Sequence, residues 1–510
     1  MQPTPIAPPK QFFQPLDRAA LFVMAILSVL IGLLLLSGDR SAPQVRDFSW
    51  QNKQVGSDDS AFMLTFSRPM DHSSVEQNLQ IEPSLPGKTS WAGRRMSYTL
   101  NAPAPYGTSF KVKLQNARDR FTQEGTRRVS IEPFVGNFQS RDRAFAYIGV
   151  DGDEAGRLVV FNLTKQEKKV LTPQNLVVVD FKPYAQSDRI LFSAIDRADQ
   201  SQTLVDQKLY TVTTGFSIEA PAQPSEVQKS DWDFFSPAKP SPPQSAGQID
   251  RVLDNQDYQN LKFDLSSDGS VIVVQRINRR DSNDFGPWII RPGSAPQPLN
   301  NKQPGGDFLI TPDSSSLAIA QGQGLALIPL QPQADPLDFL PKFGIVLSFS
   351  KDGSSAAMVK FNTDSTRSLF LVTNQGDPKE IFKTTGSIVS AQFDPTEQIL
   401  YCLLTNLIPG PTYQEQPYLA AIDLKIAVAE GGERALRPMV LLPKQRDIQM
   451  SLAPDGLALI FDQTDRDARS SGDPSNANSR LWLLPLIGDL SVKVQPEALP
   501  MPGFHPRWLP

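Results

Sequence analysis

FDLSSDGSVIVVQRINRRDSNDFGPWIIR, residues 263–291, holds the pattern on which the fold turns. An apolar strand runs into a turn of Ser, Asp and Gly, a second apolar strand follows, and a polar loop leads to a third. The strand-plus-turn element recurs as DFKPYAQSD (180–188), FLITPDS (308–314), SFSKDG (348–353), QFDPTE (392–397) and SLAPDG (451–456). After the first interval the spacing is roughly 40 to 60 residues, which suits a four-stranded propeller blade. Third strands follow at Lys208–Val212, Trp288–Arg291, Leu325–Pro329, Ser368–Val372, Tyr418–Asp423 and Arg480–Pro485. The two ends of the region complement each other. FHPRWLP (504–510) has the form of a first strand with no successor, and RAFAYIGVDGDEAGRLVVFNL (143–163) that of a blade lacking its first strand. Pairing them closes a ring of roughly seven blades over 138–510 and removes the free sheet edges that template aggregation.

Composition limits the chemistry. The 510 residues carry a net charge of -4 with both signs interspersed, so no basic stripe exists to neutralise a phosphate backbone and nucleic acid is not expected as a partner. One cysteine, Cys402, lies in the apolar run Ile399–Leu404 and reads as a buried strand residue. His72 and His505 stand far apart beside turn residues, and no HExxH, Ser-His-Asp, Walker A, Rossmann or GxSxG pattern is present. QGQG (321–324) reads as a tight turn, and Asp151, Asp153 and Glu154 read as a hairpin turn because they lack the full calcium-loop spacing. No enzyme, cofactor or metal site is therefore expected. With 45 prolines and 31 glycines, short strands and many turns are.

Ahead of the repeats, Ala19–Ser37 is uncharged and apolar apart from Ser28 and Gly32, a run of roughly 28 Å as a helix. It is too long for a signal-peptide core, and no A-x-A or lipobox cysteine follows. We read it as an uncleaved transmembrane signal anchor at 19–37, behind a disordered cytoplasmic tail at 1–18 and before a linker at 38–44. Lys10 and Arg18 precede the span while Arg40, Arg46 and Lys53 follow it, so charge does not orient it. The export logic of a first apolar segment places the C-terminal bulk outside a bacterial inner membrane.

Between Val45 and Pro133, short alternating runs at Ala61–Phe66, Leu79–Ile81, Met96–Leu100 and Phe110–Leu114 predict a sandwich, with a domain at 45–134. FSRPMDHSSVEQNLQIEP (66–83), Trp91, PYGTSFKVKL (105–114) and Asp119 resemble the SbsA-type bacterial Ig-like domain, which implies an envelope spacer. Asp71 is expected to cap local backbone amides rather than to join His72 as a metal ligand. The turn motifs of the repeats resemble the TolB-like or PD40 propeller repeat, although Pro is missing at 351, Gly at 314 and Asp-Gly at 396 and 397. The expected fold class is thus all-β: an Ig-like sandwich, then a propeller, behind one transmembrane helix.

In an antiparallel four-stranded blade, first-to-second and third-to-fourth turns share one face, and second-to-third loops share the other. The latter are the elaborated ones here: GDEAGR (152–157), DRADQSQTLVDQ (196–207), NRRDSNDFG (278–286), TNLIPGPTYQEQP (405–417) and DQTDRDARSSGDPSNANS (462–479). Variable loops on a rigid face commonly carry binding. Arg279, Arg280, Tyr413, Arg466 and Arg469 are the candidate contact residues, with Asp281, Asp284, Asp465 and Asp467 as counter-charges. The Pro- and Ser-rich stretch 215–248 reads as a disordered insert whose SDWDFF string offers Trp232, Phe234 and Phe235 as a docking peptide. Two functions remain: a membrane-anchored, extracytoplasmic binding or scaffold protein for a protein or glycan partner, or a propeller hydrolase acting on glycan or peptide, which would need two converging carboxylates near the channel mouth.

Overall fold

The computed structural model describes residues 15–37, 42–120, 130–198, 206–216, 245–299, 306–331 without 323, 338–340, 342–464 without 375 and 446, 479–486 and 494–510. Pro15–Ser37 form helix α1. Among the described residues no helix is long and apolar enough to cross a membrane. The expected span of 19–37 is therefore not matched among them. What α1 does show is an apolar surface on every side: Leu21, Phe22, Met24, Leu27 and Ile31 are all exposed.

The next eight strands are β1 (Val45–Phe48), β2 (Gln54–Val55), β3 (Ala61–Phe66), β4 (Leu79–Glu82), β5 (Gly87–Ala92), β6 (Arg95–Leu100), β7 (Ser109–Leu114) and β8 (Phe134–Ser140). They form two four-stranded sheets, β1-β3-β6-β5 and β2-β8-β7-β4. Alternation places Phe62, Leu64 and Phe66 of β3 and Phe110, Val112 and Leu114 of β7 in one shared core. Aromatic rings fill it, with Phe48 edge-on to Phe62 at 5.3 Å and Trp50 against Phe138 at 5.0 Å. A short helix α2 (His72–Asn78) interrupts the strands where none was read in the sequence, and Asp71 caps it by accepting from Ser74 N at 3.3 Å. His72 stacks on Trp91 at 4.2 Å rather than facing a metal partner.

Five four-stranded sheets and one seven-stranded sheet follow. Blade 1 is Leu176–Pro183, Arg189–Asp196, Lys208–Thr213 and Ile249–Leu253; blade 2 is Tyr258–Leu265, Ile272–Asn278, Phe285–Ile290 and Gln297–Pro298. Blade 3 is Phe308–Ile310, Ser316–Gln321, Gly324–Pro329 and Asp338–Leu340; blade 4 is Ile345–Phe349, Ser355–Phe361, Arg367–Thr373 and Lys379–Thr384. Blade 5 is Ile388–Phe393, Ile399–Leu407, Glu415–Asp423 and Leu436–Leu441. The seven-stranded sheet is two blades joined by one continuous strand, Glu497–Trp508. Its first half pairs with Ser479–Pro485 as the outer strand of blade 6, whose other strands are Met450–Leu452 and Ala458–Thr464. Its second half pairs with Ala144–Gly149, Gly503 opposite Gly149 and Trp508 opposite Phe145, as the inner strand of blade 7. Leu158–Asn162 and Glu167–Val170 complete that blade. The ring therefore closes as a seven-bladed β-propeller.

The degenerate turns explain themselves in backbone geometry. Gly269, Gly353 and Gly456 take φ between +71° and +73°, and Ser187, Ser314 and Glu397 hold the same left-handed position at +56° to +58°. A non-glycine residue there costs about 1–2 kcal/mol, which a blade packed on both faces tolerates. The turn aspartates brace the loop: Asp352 accepts from Ser350 Oγ at 2.7 Å and Ser354 N at 2.8 Å, and these bonds hold its carboxyl down to about 2.

The insert expected at 215–248 is narrower at both ends. Phe216 packs on the core of blade 1, Thr213 N donates to Gln248 O at 3.0 Å, and Gly247 N donates to Thr213 O at 2.9 Å. Residues 215–216 and 245–248 thus belong to the blade.

Candidate functional site

The sandwich sits on the face made by the first-to-second turns. Lys351 of blade 4 donates to Ser57 O at 2.6 Å and pairs with Asp58 at 2.8 Å. Arg141 donates to Ala185 O of blade 1 at 3.0 Å, and Tyr106 N donates to Asp455 of blade 6 at 2.9 Å. The Asp455 side chain is fully buried and also pairs with Arg143. Blades 1 and 4 lie on different sides of the ring, so the sandwich spans its central mouth. A cavity of 240 Å³ remains there between Ser57 and Phe349, Gln392, Pro395 and Leu452.

The inner strands share a frame, because the residue at the end of each donates its N–H to the start of the second strand of its blade: Leu509, Tyr184, Ser266, Thr311, Ser350, Asp394 and Ala453 in blades 7 and 1 to 6. Counting back two and four residues gives Arg507 and His505 in blade 7, Lys182 and Asp180 in blade 1, Asp264 and Lys262 in blade 2, and Leu309 and Asp307 in blade 3. Opposite charges meet across successive blade junctions. Asp180 lies 3.2 Å from His505 Nε2 and 3.4 Å from Arg507, Lys182 pairs with Asp264, and Lys262 pairs with Asp307. Asp264 also accepts from Ile310 N at 2.8 Å. Blades 4 to 6 present neutral groups in the same frame: Val346 and Ser348, Ser390 and Gln392, Gln449 and Ser451. Gln392 bridges to Met450 O at 3.1 Å and Leu452 N at 2.7 Å. The hydroxyls of Ser348 and Ser390 are buried with no hydrogen-bond partner among the described residues. Sequence reading missed this ring, although aligning the repeats on their turns would have put its members in register.

Asp462, on the second strand of blade 6, accepts from Gln449 N at 2.7 Å and His505 N at 2.8 Å, clasping the closing strand. Burial pushes its carboxyl up to about 6 despite those bonds, and burial with the neighbouring Arg507 pushes His505 down to about 4. The two act on stability in opposite senses. The raised Asp462 contributes stability present at low pH and lost as pH rises through about 6, whereas the depressed His505 contributes stability present above 6.5 and lost as pH falls through about 4. Parent stability is therefore expected to change little between these limits on account of this pair. Asp462→Asn removes the compensation, so its melting temperature should fall from pH 7 to pH 4.5 more steeply than the parent's, and His505→Gln should tilt the other way. Parallel curves for all three proteins in a thermal-melt series would refute the assignment.

On the opposite face, the candidate residues separate. Arg279 is engaged: its Nε donates to Asn255 O at 2.8 Å and its guanidinium pairs with Asp206, tying the loop of blade 2 to blade 1. Asp284 accepts from Tyr258 Oη at 2.7 Å and Asn278 Nδ2 at 2.9 Å, and Asp281 accepts from Asn283 N at 3.0 Å. The expected role of both aspartates as counter-charges to Arg279 and Arg280 is thus corrected: the loop folds back so that Asp284 stands at its foot, facing Tyr258. Beside them, buried Arg276 lies 4.5 Å over Tyr258 and 4.8 Å over Trp288. Arg280 is exposed. Glu substitution at Arg280 should leave stability within about 0.5 kcal/mol, while Arg279→Glu, which replaces a solvent-screened ion pair and the bond to Asn255 O with a carboxylate against Asp206, should cost about 1–2 kcal/mol. Equal denaturation midpoints would contradict the tie. Asp465, Arg466, Asp467, Arg469, Trp232, Phe234 and Phe235 lie outside the described residues.

Tyr413 is exposed and donates to Glu415. It belongs to a group that composition did not reveal: Phe361, Val389, Leu407, Tyr413 and Leu441 are all exposed. Each lies at the pole of blade 4 or 5 that carries the second-to-third loops. Cys402 is fully buried, and burial raises its thiol far above the usual range. Among the described residues, no group of three or more His, Cys, Asp or Glu side chains could hold a metal ion.

No protein-family model matches the chain, and no curated protein matches it in sequence. Among solved structures, the chain is similar to TolB from Acinetobacter baumannii at 10% identity, covering 85% of this chain and 83% of that one, with a TM-score of 0.39. It is similar to an oligogalacturonate lyase from Vibrio parahaemolyticus at 9% identity, covering 63% and 87%, with a TM-score of 0.42. A 6-phosphogluconolactonase-like protein from Bacteroides uniformis gives 11% identity, 72% and 99% coverage, and a TM-score of 0.43.

Proposed function

We propose that the chain is a non-enzymatic binding or scaffold protein of a bacterial envelope, held in the inner membrane by α1, with an SbsA-type Ig-like spacer that presents the propeller's second-to-third face to a protein partner. The observation that carries this reading is the asymmetry of the ring. One face is occupied by the sandwich, and the other bears exposed apolar side chains at Phe361, Leu407, Tyr413 and Leu441. Exposed apolar groups on one face are of the kind that mark protein interaction sites. The apolar circumference of α1 supports a lipid environment for it, since none of the described residues covers it. The hydrolase alternative is less favoured because Asp180, Asp264 and Asp307 each face a cation, which leaves no carboxylate pair of the needed kind among these ring residues.

Protease added outside spheroplasts should degrade the propeller and spare the N-terminal tail; a protected propeller would reverse the orientation. For the face itself, Leu407→Asp with Tyr413→Ala should abolish partner recovery from solubilised envelope while the melting temperature stays at the parent's. Removal of 218–243 tests the docking peptide in parallel, and loss of the partner only in that deletion would transfer the site to the segment around Trp232.

A further inference from the structure

The sandwich has two poles, and the chain uses them differently. The chain enters at one: Pro43 O accepts from Glu132 N at 2.9 Å, Gln44 exchanges bonds with Ser67, and Val45 pairs with Phe66. Glu132 stands just ahead of Phe134, the first residue of β8. Among the described residues, the hydrogen bonds to the propeller lie at the other pole, where β8 ends at Ser140 and Ser57, Tyr106 and Arg141 meet the first-to-second turns. Strand β8 thus runs from the entry pole to the docking pole, a distance of roughly 23 Å at 3.3 Å per residue. Covalent geometry limits the anchor's position, since from Ser37 to Ala42 the chain reaches at most about 18 Å. The end of α1 therefore stays at the entry pole and cannot pass the sandwich to the propeller. Beyond the docking pole, an inner strand such as Leu176–Pro183 adds roughly 26 Å before the second-to-third loops are reached.

We infer that anchor, sandwich and propeller stack in that order, so that the loop face carrying Phe361, Leu407, Tyr413 and Leu441 is the membrane-distal surface, roughly 50 Å from the end of α1. The partner is then a protein reached on the side away from the anchoring bilayer, not lipid of that bilayer and not a membrane neighbour of α1. This inference rests on the reading of α1 as an anchor and adds direction and distance to it. The buried sandwich contact at Asp455 keeps the stack from folding back, because its carboxylate is shared by Tyr106 N and Arg143 away from solvent.

The test uses the full chain reconstituted into phosphatidylethanolamine and phosphatidylglycerol vesicles containing an acceptor-labelled lipid. Cys402 is fully buried and leaves introduced thiols as the reactive ones. A donor dye at Ala92→Cys, beside the entry pole, should lose most of its emission to the bilayer acceptor. A dye at Arg280→Cys, on the loop face, should keep nearly all of it. Comparable quenching at both positions would overturn the stacked arrangement while leaving the anchor intact. Failure of the protein to float with the vesicles would instead overturn the anchor and this inference together.

Discussion

A protein lacking Phe504–Pro510 is expected not to reach the folded state. Those residues form the inner strand of blade 7, opposite Ala144–Gly149, a strand buried along its whole length. Without them blade 7 keeps an open edge in the middle of the ring and loses the clasp at His505 N, the ion pairs to Asp180 and the Trp508 contacts. Trp508 itself packs edge-on against Phe145 at 5.5 Å, and its Nε1 donates to Ser451 O at 3.1 Å. Trp508→Ala alone should cost about 3–5 kcal/mol, from the lost volume and a stranded carbonyl. That compares with a whole-domain margin of about 5–15 kcal/mol. Circular dichroism and thermal unfolding of both variants check this, and a truncated protein that melts like the parent would show that the ring closes without its last strand.

Asp455→Ala is the second large effect expected. The carboxylate is fully enclosed, accepts from Tyr106 N of the sandwich at 2.9 Å and from Leu457 N of its own turn at 3.1 Å, and neutralises Arg143. Removing it strands a guanidinium and two amides, at about 3–5 kcal/mol for a broken buried pair. Asp455→Asn, which retains an acceptor, should be milder. The loss should fall on the domain junction, so limited proteolysis near Arg143 should speed up before the blades themselves melt. By contrast Lys351→Ala breaks the exposed ties to Asp58 and Ser57 O, with side-chain exposures of 49% and 65% in the ion pair, and should stay within about 1 kcal/mol. If Asp455→Ala and Lys351→Ala weaken the junction equally, the buried pair is not what holds it.

Much of the blade architecture was legible because it is local. The run SFSKDG and its relatives encode strand, left-handed turn and strand within a few residues, and the inner-strand form of FHPRWLP needed only the rule that a ring leaves no edge. Local chemistry also led to Asp71 as a cap. The α2 helix was missed because seven residues held by one cap and the burial of Val75 carry no periodic signal of their own.

What the sequence by itself determined is the repeat, the strand order within each blade, the closure of the last strand on the first, and the face on which each loop emerges. All of these follow from alternation and turn chemistry between neighbours in the chain. Only the tertiary structure decided which charged residues are partners. Arg279 was read as a partner-contacting cation with neighbouring loop aspartates as its counter-charges, yet it reaches Asp206, and Asp455 was read as one turn residue among six, yet it welds two domains. Partners such as Asp180 and Arg507, or Tyr106 and Asp455, lie hundreds of positions apart, and their meeting depends on the ring and the seated sandwich rather than on any local preference. The same holds for the exposed apolar group on blades 4 and 5: Leu407 and Leu441 look like core residues in the chain, and only the fold places them at a pole where no described residue covers them.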